Sequence, residues 1–156
     1  MEPISWQDFE RELARCLEEL LGEDACLIID AGERYVQFAL LDDRGVRTEA
    51  SSNEFLLGGP GRIADRDVAA MAALGWRLPD RPAPERGVKG PPGGSPNFYL
   101  DLEPPVDLRA LAALAVATLR LVFEVPVVSD LRYDAFRQTG GRLLFPDLGL
   151  GLSVST

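Results

Sequence analysis

Trp6, Phe9, Leu13, Cys16, Leu17, Leu20 and Leu21 recur at spacings of three and four, and Asp8, Glu10, Arg11, Arg15, Glu18 and Glu19 fill the positions between them. That period gathers the apolar side chains on one stripe and predicts an amphipathic helix. Ser5 is suited to cap its free amides, Asp8 stands three residues on as in a capping box, and Ile4 can staple onto Phe9. Gly22 is suited to end it.

Three short segments rich in β-formers follow: Cys26 to Asp30, Tyr35 to Leu41, and Val46 to Ser51. Their connectors, Ala31-Gly32-Glu33 and Asp42-Asp43-Arg44-Gly45, are short and carry glycine, so antiparallel hairpins are the simplest linkage. In the middle strand Val36, Phe38 and Leu40 share one face and Tyr35, Gln37 and Ala39 the other. The first trio is expected to face the core.

Asp65 can cap a second helix through Val68, Met71 and Leu74, with Gly75 ending it before Trp76. From Pro79 to Pro96 six prolines and four glycines accompany almost nothing apolar, which predicts a poorly ordered surface loop. Phe98 to Leu102 reads as another strand. Pro104-Pro105 and then Asp107 announce a last long helix from Leu108 to about Glu124, stopped before Pro126.

That helix is apolar on nearly every side. Leu108, Leu111, Leu114, Ala115, Leu119 and Val122 trace one stripe, and Ala112, Val116, Leu121 and Val125 widen it. One sheet face cannot cover them all, so the surplus is expected to meet the first helix, the C-terminal tail or a second protein, with a homodimer favoured. The whole is an α+β domain spanning 1–140, an antiparallel sheet of about five strands with three helices. Residues 141–156 form a tail able to add a strand through Leu143, Leu144 and Phe145.

Composition narrows the function. The 156 residues are 46% hydrophobic and 26% charged, which suits one packed domain and not a disordered chain. Acidic residues outnumber basic ones 25 to 16, and the net charge of −9 repels a phosphate backbone, so nucleic acid is not an expected partner. With two cysteines the chain lacks a disulfide framework, and Met1-Glu2-Pro3-Ile4-Ser5 lacks the basic start and apolar run of a signal peptide. A cytoplasmic setting is expected. Within the most apolar stretch only Ala110 to Leu119 is uncharged, far short of the ~20 residues a membrane span needs.

The chain has no histidine, which removes Ser-His and Cys-His nucleophile pairs, imidazole metal sites and imidazole switches. Two cysteines cannot make a four-thiolate zinc site. Gly58-Gly59-Pro60-Gly61 lacks the Gly-Lys-Ser/Thr of a phosphate cradle, and Pro60 removes an amide that a cradle would use. The acidic pairs Asp42 with Asp43, Asp65 with Asp67, and Asp101 with Glu103 could bind a divalent cation through oxygen. They read more simply as a hairpin turn, a helix N-terminus and the solvent face of an edge strand. No catalytic residue, metal or cofactor is expected.

Binding is the remaining class of function. Trp76, Asn97 and Phe98 flank the Pro/Gly loop and either anchor a partner or close the core. Phe55, Leu56 and Leu57 pose the same choice between an apolar ledge and core packing, and Val116 and Leu121 lie on the surplus of the last helix. These eight are the candidate partner-binding residues.

Particular words also occur in a telling order: Tyr35-Val36-Gln37-Phe38-Ala39, Glu49-Ala50-Ser51-Ser52-Asn53-Glu54-Phe55-Leu56, Leu74-Gly75-Trp76 and Pro96-Asn97-Phe98. Together they resemble the actinobacterial TY-Chap domains and bacterial YbjN-type domains of the type III secretion chaperone-like fold, over about residues 5 to 136. Fifteen arginines against the single Lys89 suit a GC-rich bacterial genome. The resemblance implies the element order α-β-β-β-α-β-β-α and a non-enzymatic module that holds a protein client. It carries over no catalytic residue. The alternative is a small hydrolase or ligand-binding enzyme using paired carboxylates, which would need two acidic side chains converging in one pocket.

Overall fold

A computed structural model describes residues 4–51, 65–79 and 97–153, with the side chains of Asp65 and Arg66 left aside. Helix α1 spans Trp6–Leu20, and the Ser5 hydroxyl accepts the Asp8 amide at 3.1 Å, as its position predicts. Its stripe is fully used: Phe9, Leu13, Cys16, Leu17 and Leu20 are buried. Gly22 follows at φ +80°, a left-handed turn that an L side chain resists.

The meander comes next, as β1 (Ala25–Asp30), β2 (Tyr35–Leu40) and β3 (Val46–Ala50), each within a residue or two of its predicted bounds. Helix α2 (Asp65–Leu74) leads to β4 (Phe98–Leu102), then α3 (Leu108–Ala117), β5 (Arg132–Arg137) and β6 (Gly151–Leu152). Strand order is β4-β3-β2-β1-β5-β6, antiparallel throughout except for the β5–β6 pair.

The class is α+β, and the sheet has six strands where about five were expected. The order differs too. Among the described residues one strand, not two, lies between α2 and α3, and β5 comes after α3. β4 is accompanied there, among the described residues, by a single bridge, Arg77 with Tyr99. The tail does add a strand, but at Gly151–Leu152 and parallel, while the earlier stretch contributes one antiparallel bridge from Arg142 to Phe136.

Cross-strand partners share a face, so register assigns the two sides of the sheet. Leu27, Phe38 and Thr48 align across β1, β2 and β3, and Ile29, Val36, Ala50 and Phe98 align across β1 to β4. These residues are buried in one core with Phe9, Leu13 and Leu17 of α1 and Leu111, Ala112, Ala115 and Val116 of α3. The trio Val36, Phe38 and Leu40 is buried as the alternation predicts. No helix of the described residues is long and apolar enough to cross a membrane.

Helix α3 starts as its sequence implies, with Asp107 Oδ1 accepting the Ala110 amide at 3.0 Å. It does not run on regularly to Glu124. A π-helical turn occupies Thr118–Val122, and Glu124 takes φ +55° ahead of Pro126. Of the apolar surplus Ala112 and Val116 are buried and Val125 is half-buried, whereas Leu121 is 71% exposed.

Candidate functional site

The four words of the resemblance were separate in sequence, and the fold brings three of them to one node. The Ser51 hydroxyl accepts the Tyr35 amide at 3.0 Å, the Ser51 amide donates to the Tyr35 carbonyl at 3.0 Å, and Asn97 Nδ2 donates to the Tyr35 hydroxyl at 3.2 Å. Asn97 and Ser51 are buried, and burial together with neighbouring Glu49 raises the Tyr35 pKa against the lowering effect of Asn97. The start of β2, the end of β3 and the approach to β4 are thereby fixed to one another.

The fourth word is anchored from inside. Gly75 takes φ +111° and turns the chain so that Trp76 enters the core, where its indole N–H donates to Thr118 Oγ1 at 2.9 Å. Thr118 in turn donates to the Leu114 carbonyl at 2.8 Å, four residues back and just where the π-helical turn begins.

The sheet face away from the helices is composed differently. Phe136, Cys26, Ala39, Arg47 and Asp101 form one cross-strand row, and Asp134, Ile28, Gln37, Glu49 and Tyr99 form the next. Tyr99 lies between two guanidinium groups, Arg47 at 5.0 Å and Arg77 at 5.3 Å from the ring centre. Arg47 also pairs with Asp101 at 3.1 Å and Glu49 at 3.9 Å. Ile28, Ala39 and Phe136 are half-buried, so this face mixes modest apolar surface with neutralised charge.

Neither thiol is poised for chemistry. Burial pushes Cys16 up to about 12 with help from Glu19, and burial pushes Cys26 up to about 11 with help from Asp134 and Glu49. The acidic pairs of the sequence fall at separate places. Asp43 Oδ1 accepts the Gly45 amide at 2.8 Å in the β2–β3 turn, Asp65 opens α2, and Asp101 meets Arg47 on the edge strand. Among the described residues no three Cys, Asp or Glu side chains gather as a metal site. An open groove beside α1 is lined by Glu10, Glu12 and Glu18, but Arg11, Arg15, Arg44 and Arg109 line it too, and Glu12 is paired with Arg15 at 2.8 Å.

Of the candidate partner-binding residues, Trp76, Asn97, Phe98 and Val116 are buried in the chain as folded, and Leu121 is exposed. Phe55, Leu56 and Leu57 lie outside the described residues, as do residues 80–96 of the Pro/Gly loop. Sequence reasoning did not single out Tyr35 or Ser51 as members of one network, nor Tyr99 as the centre of an arginine sandwich. Their signal was present in the words that carry Tyr35 and Ser51, but their meeting depends on the β2–β3 register.

The family model described as T3SS (YopN, CesT) and YbjN peptide-binding chaperone 3, TY-Chap3, matches residues 3–137. No curated protein and no solved structure matches the chain. The match spans α1 through β5 and takes in every residue of the Tyr35–Ser51–Asn97 node and the Trp76–Thr118 anchor, and the chain belongs to the TY-Chap3 family of peptide-binding chaperones.

Proposed function

We propose that this chain is a chaperone-like module that holds an extended segment of a client protein and performs no chemical step of its own. The family match over residues 3–137 carries the reading. Two features agree with it: the thiols are held protonated, and the sheet presents an open face of half-buried side chains.

The chain works in the cytoplasm on a protein client, and its acidic surface engages neither nucleic acid nor a membrane. Leu121 and the Phe55-Leu56-Leu57 segment meet the partner, while Trp76, Asn97, Phe98 and Val116, buried in the chain as folded, hold the frame. A second copy covers Leu121 and Val127, which are 71% and 48% exposed. Sedimentation across a wide concentration range tests this pairing, and a monomer at every concentration refutes it.

The peptide-holding reading is tested by light scattering of a reduced, unfolding model protein in the presence of the chain. Suppressed aggregation at near-equimolar ratio is the expected result. Unchanged aggregation, together with no enrichment of any peptide from a displayed library, overturns it.

A further inference from the structure

Resting on that peptide-holding reading, we propose that the outer edge of β5 and the adjoining flank of α1 form a strand-addition site for an extended client peptide. The chain's own tail, Gly141–Ser153, occupies this site until a client displaces it. The family match stops at residue 137, the last residue of β5, so the family domain by itself ends on an exposed sheet edge.

The tail doubles back onto that edge. The Leu143 amide donates to the Ala135 carbonyl at 2.8 Å, the Arg137 amide to the Gly141 carbonyl at 3.2 Å, and the Ser153 amide to the Tyr133 carbonyl at 2.8 Å. Between these contacts the tail leaves β5 for a 3-10 turn, Pro146–Leu148, set against α1. Leu148 is fully buried, the Phe145 amide donates to the Tyr133 hydroxyl at 2.9 Å, and Asp147 meets Arg15 at 2.7 Å. Backbone pairing along an edge plus one buried side chain is how sheet proteins take up extended peptides.

The tail also fits this edge imperfectly, which makes it displaceable. Its pairing is split into two short pieces by the detour through Pro146, and Gly140, Gly141, Gly149 and Gly151 raise the entropy lost on ordering it. The Arg15–Asp147 pair is more than half exposed on both sides and holds little. A client running straight along β5 keeps the antiparallel pairing of residues 141–143 without the detour. Its chemistry follows from what it replaces: an extended segment with a large aliphatic side chain for the Leu148 site and a carboxylate within reach of Arg15.

The test uses the full-length chain and its Leu148→Ala variant, with 12-residue peptides selected from a displayed library on the variant. Loosening the tail raises the fraction of chains with a free edge, so the selected peptides should bind the variant at least tenfold tighter than wild type. Bound peptide should also deprotect the Leu143 and Ser153 amides to hydrogen exchange while the β1 amides stay protected. Equal affinity for both chains, with the tail amides still protected, overturns the tail's role and leaves peptide holding at another surface. Absence of any selected peptide overturns the strand-addition site, and with unchanged aggregation in the scattering assay it overturns peptide holding as well. Should Leu148→Ala fail to fold, exchange in wild type decides. Tail amides opening at least tenfold more often than those of β1 support displacement, and equal opening refutes it.

Discussion

Replacing Thr118 with valine keeps the volume and shape of a fully buried side chain and removes only its hydroxyl, so no cavity opens. Two hydrogen bonds disappear. The Leu114 carbonyl still accepts the Thr118 amide, so its loss is small. Trp76, 3% exposed, has its indole N–H aimed at the missing oxygen at 2.9 Å and is buried away from bulk solvent. A buried donor left without a partner costs about 1–3 kcal/mol. Valine and threonine differ little in helix propensity, so Thr118→Val should destabilise by about 2 kcal/mol. For a domain of this size that lowers the melting temperature by roughly 4–8 °C.

Guanidinium melts followed by circular dichroism measure the loss, with an unchanged m-value confirming that the unfolding transition is the same one. Trp76→Phe supplies the control, because it removes the donor. Thr118→Val made on that background should cost less than on wild type, by about 1–2 kcal/mol of coupling. A cost below about 0.5 kcal/mol on wild type, or simple additivity of the two changes, would show that this hydrogen bond does not anchor Trp76.

Phe38→Ala removes a fully buried ring between α1 and the sheet and should cost about 3–5 kcal/mol in denaturant melts, with a loss under about 1 kcal/mol refuting the β2 register. Gly75→Ala forces a side chain into φ +111° and should cost more than about 1 kcal/mol even though nothing lies within 4 Å of the added carbon; a neutral melt would contradict the backbone geometry. Both thiols should resist alkylation at pH 8 in the native chain and react in denaturant, and rapid native labelling of either would show that it is not enclosed. With Cys16 at about 12 and Cys26 at about 11, the folded chain keeps protons that the unfolded chain releases above about pH 9. Stability should therefore be intact below pH 9 and fall as pH rises from 9 toward 11, and a Cys16→Ala, Cys26→Ala chain should show a shallower fall.

The local elements of this fold were legible because their own residues dictate them. The α1 stripe and its Ser5 cap, and the alternation of Val36, Phe38 and Leu40, required no distant partner. β5 was missed although Leu131, Tyr133 and Ala135 alternate, because Phe136 on the other face blurs the period and arginines bracket the strand. The tail pairs through glycine-rich segments of no strand propensity, so only the edge it lands on makes it a strand. The π-helical turn in α3 arises beside the Trp76–Thr118–Leu114 chain of hydrogen bonds, a tertiary contact that helix propensity does not register. At the candidate site the words stood in readable order, but the meeting of Tyr35, Ser51 and Asn97 rests on strand register across 62 residues of separation.

That node has a bearing on how members of this family can diverge. β3 ends beside Ser51 and β4 begins beside Asn97, and both residues bind Tyr35, so these two strand ends meet at one point of the frame. Closing a longer interval across a fixed gap adds only about 0.6 kcal/mol for each doubling of its length. Length changes in the interval that spare Tyr35, Ser51 and Asn97 therefore leave this end of the β3–β4 pairing clasped. The Tyr35 hydroxyl is the part of that clasp a side-chain substitution removes, because Ser51 holds only the Tyr35 backbone.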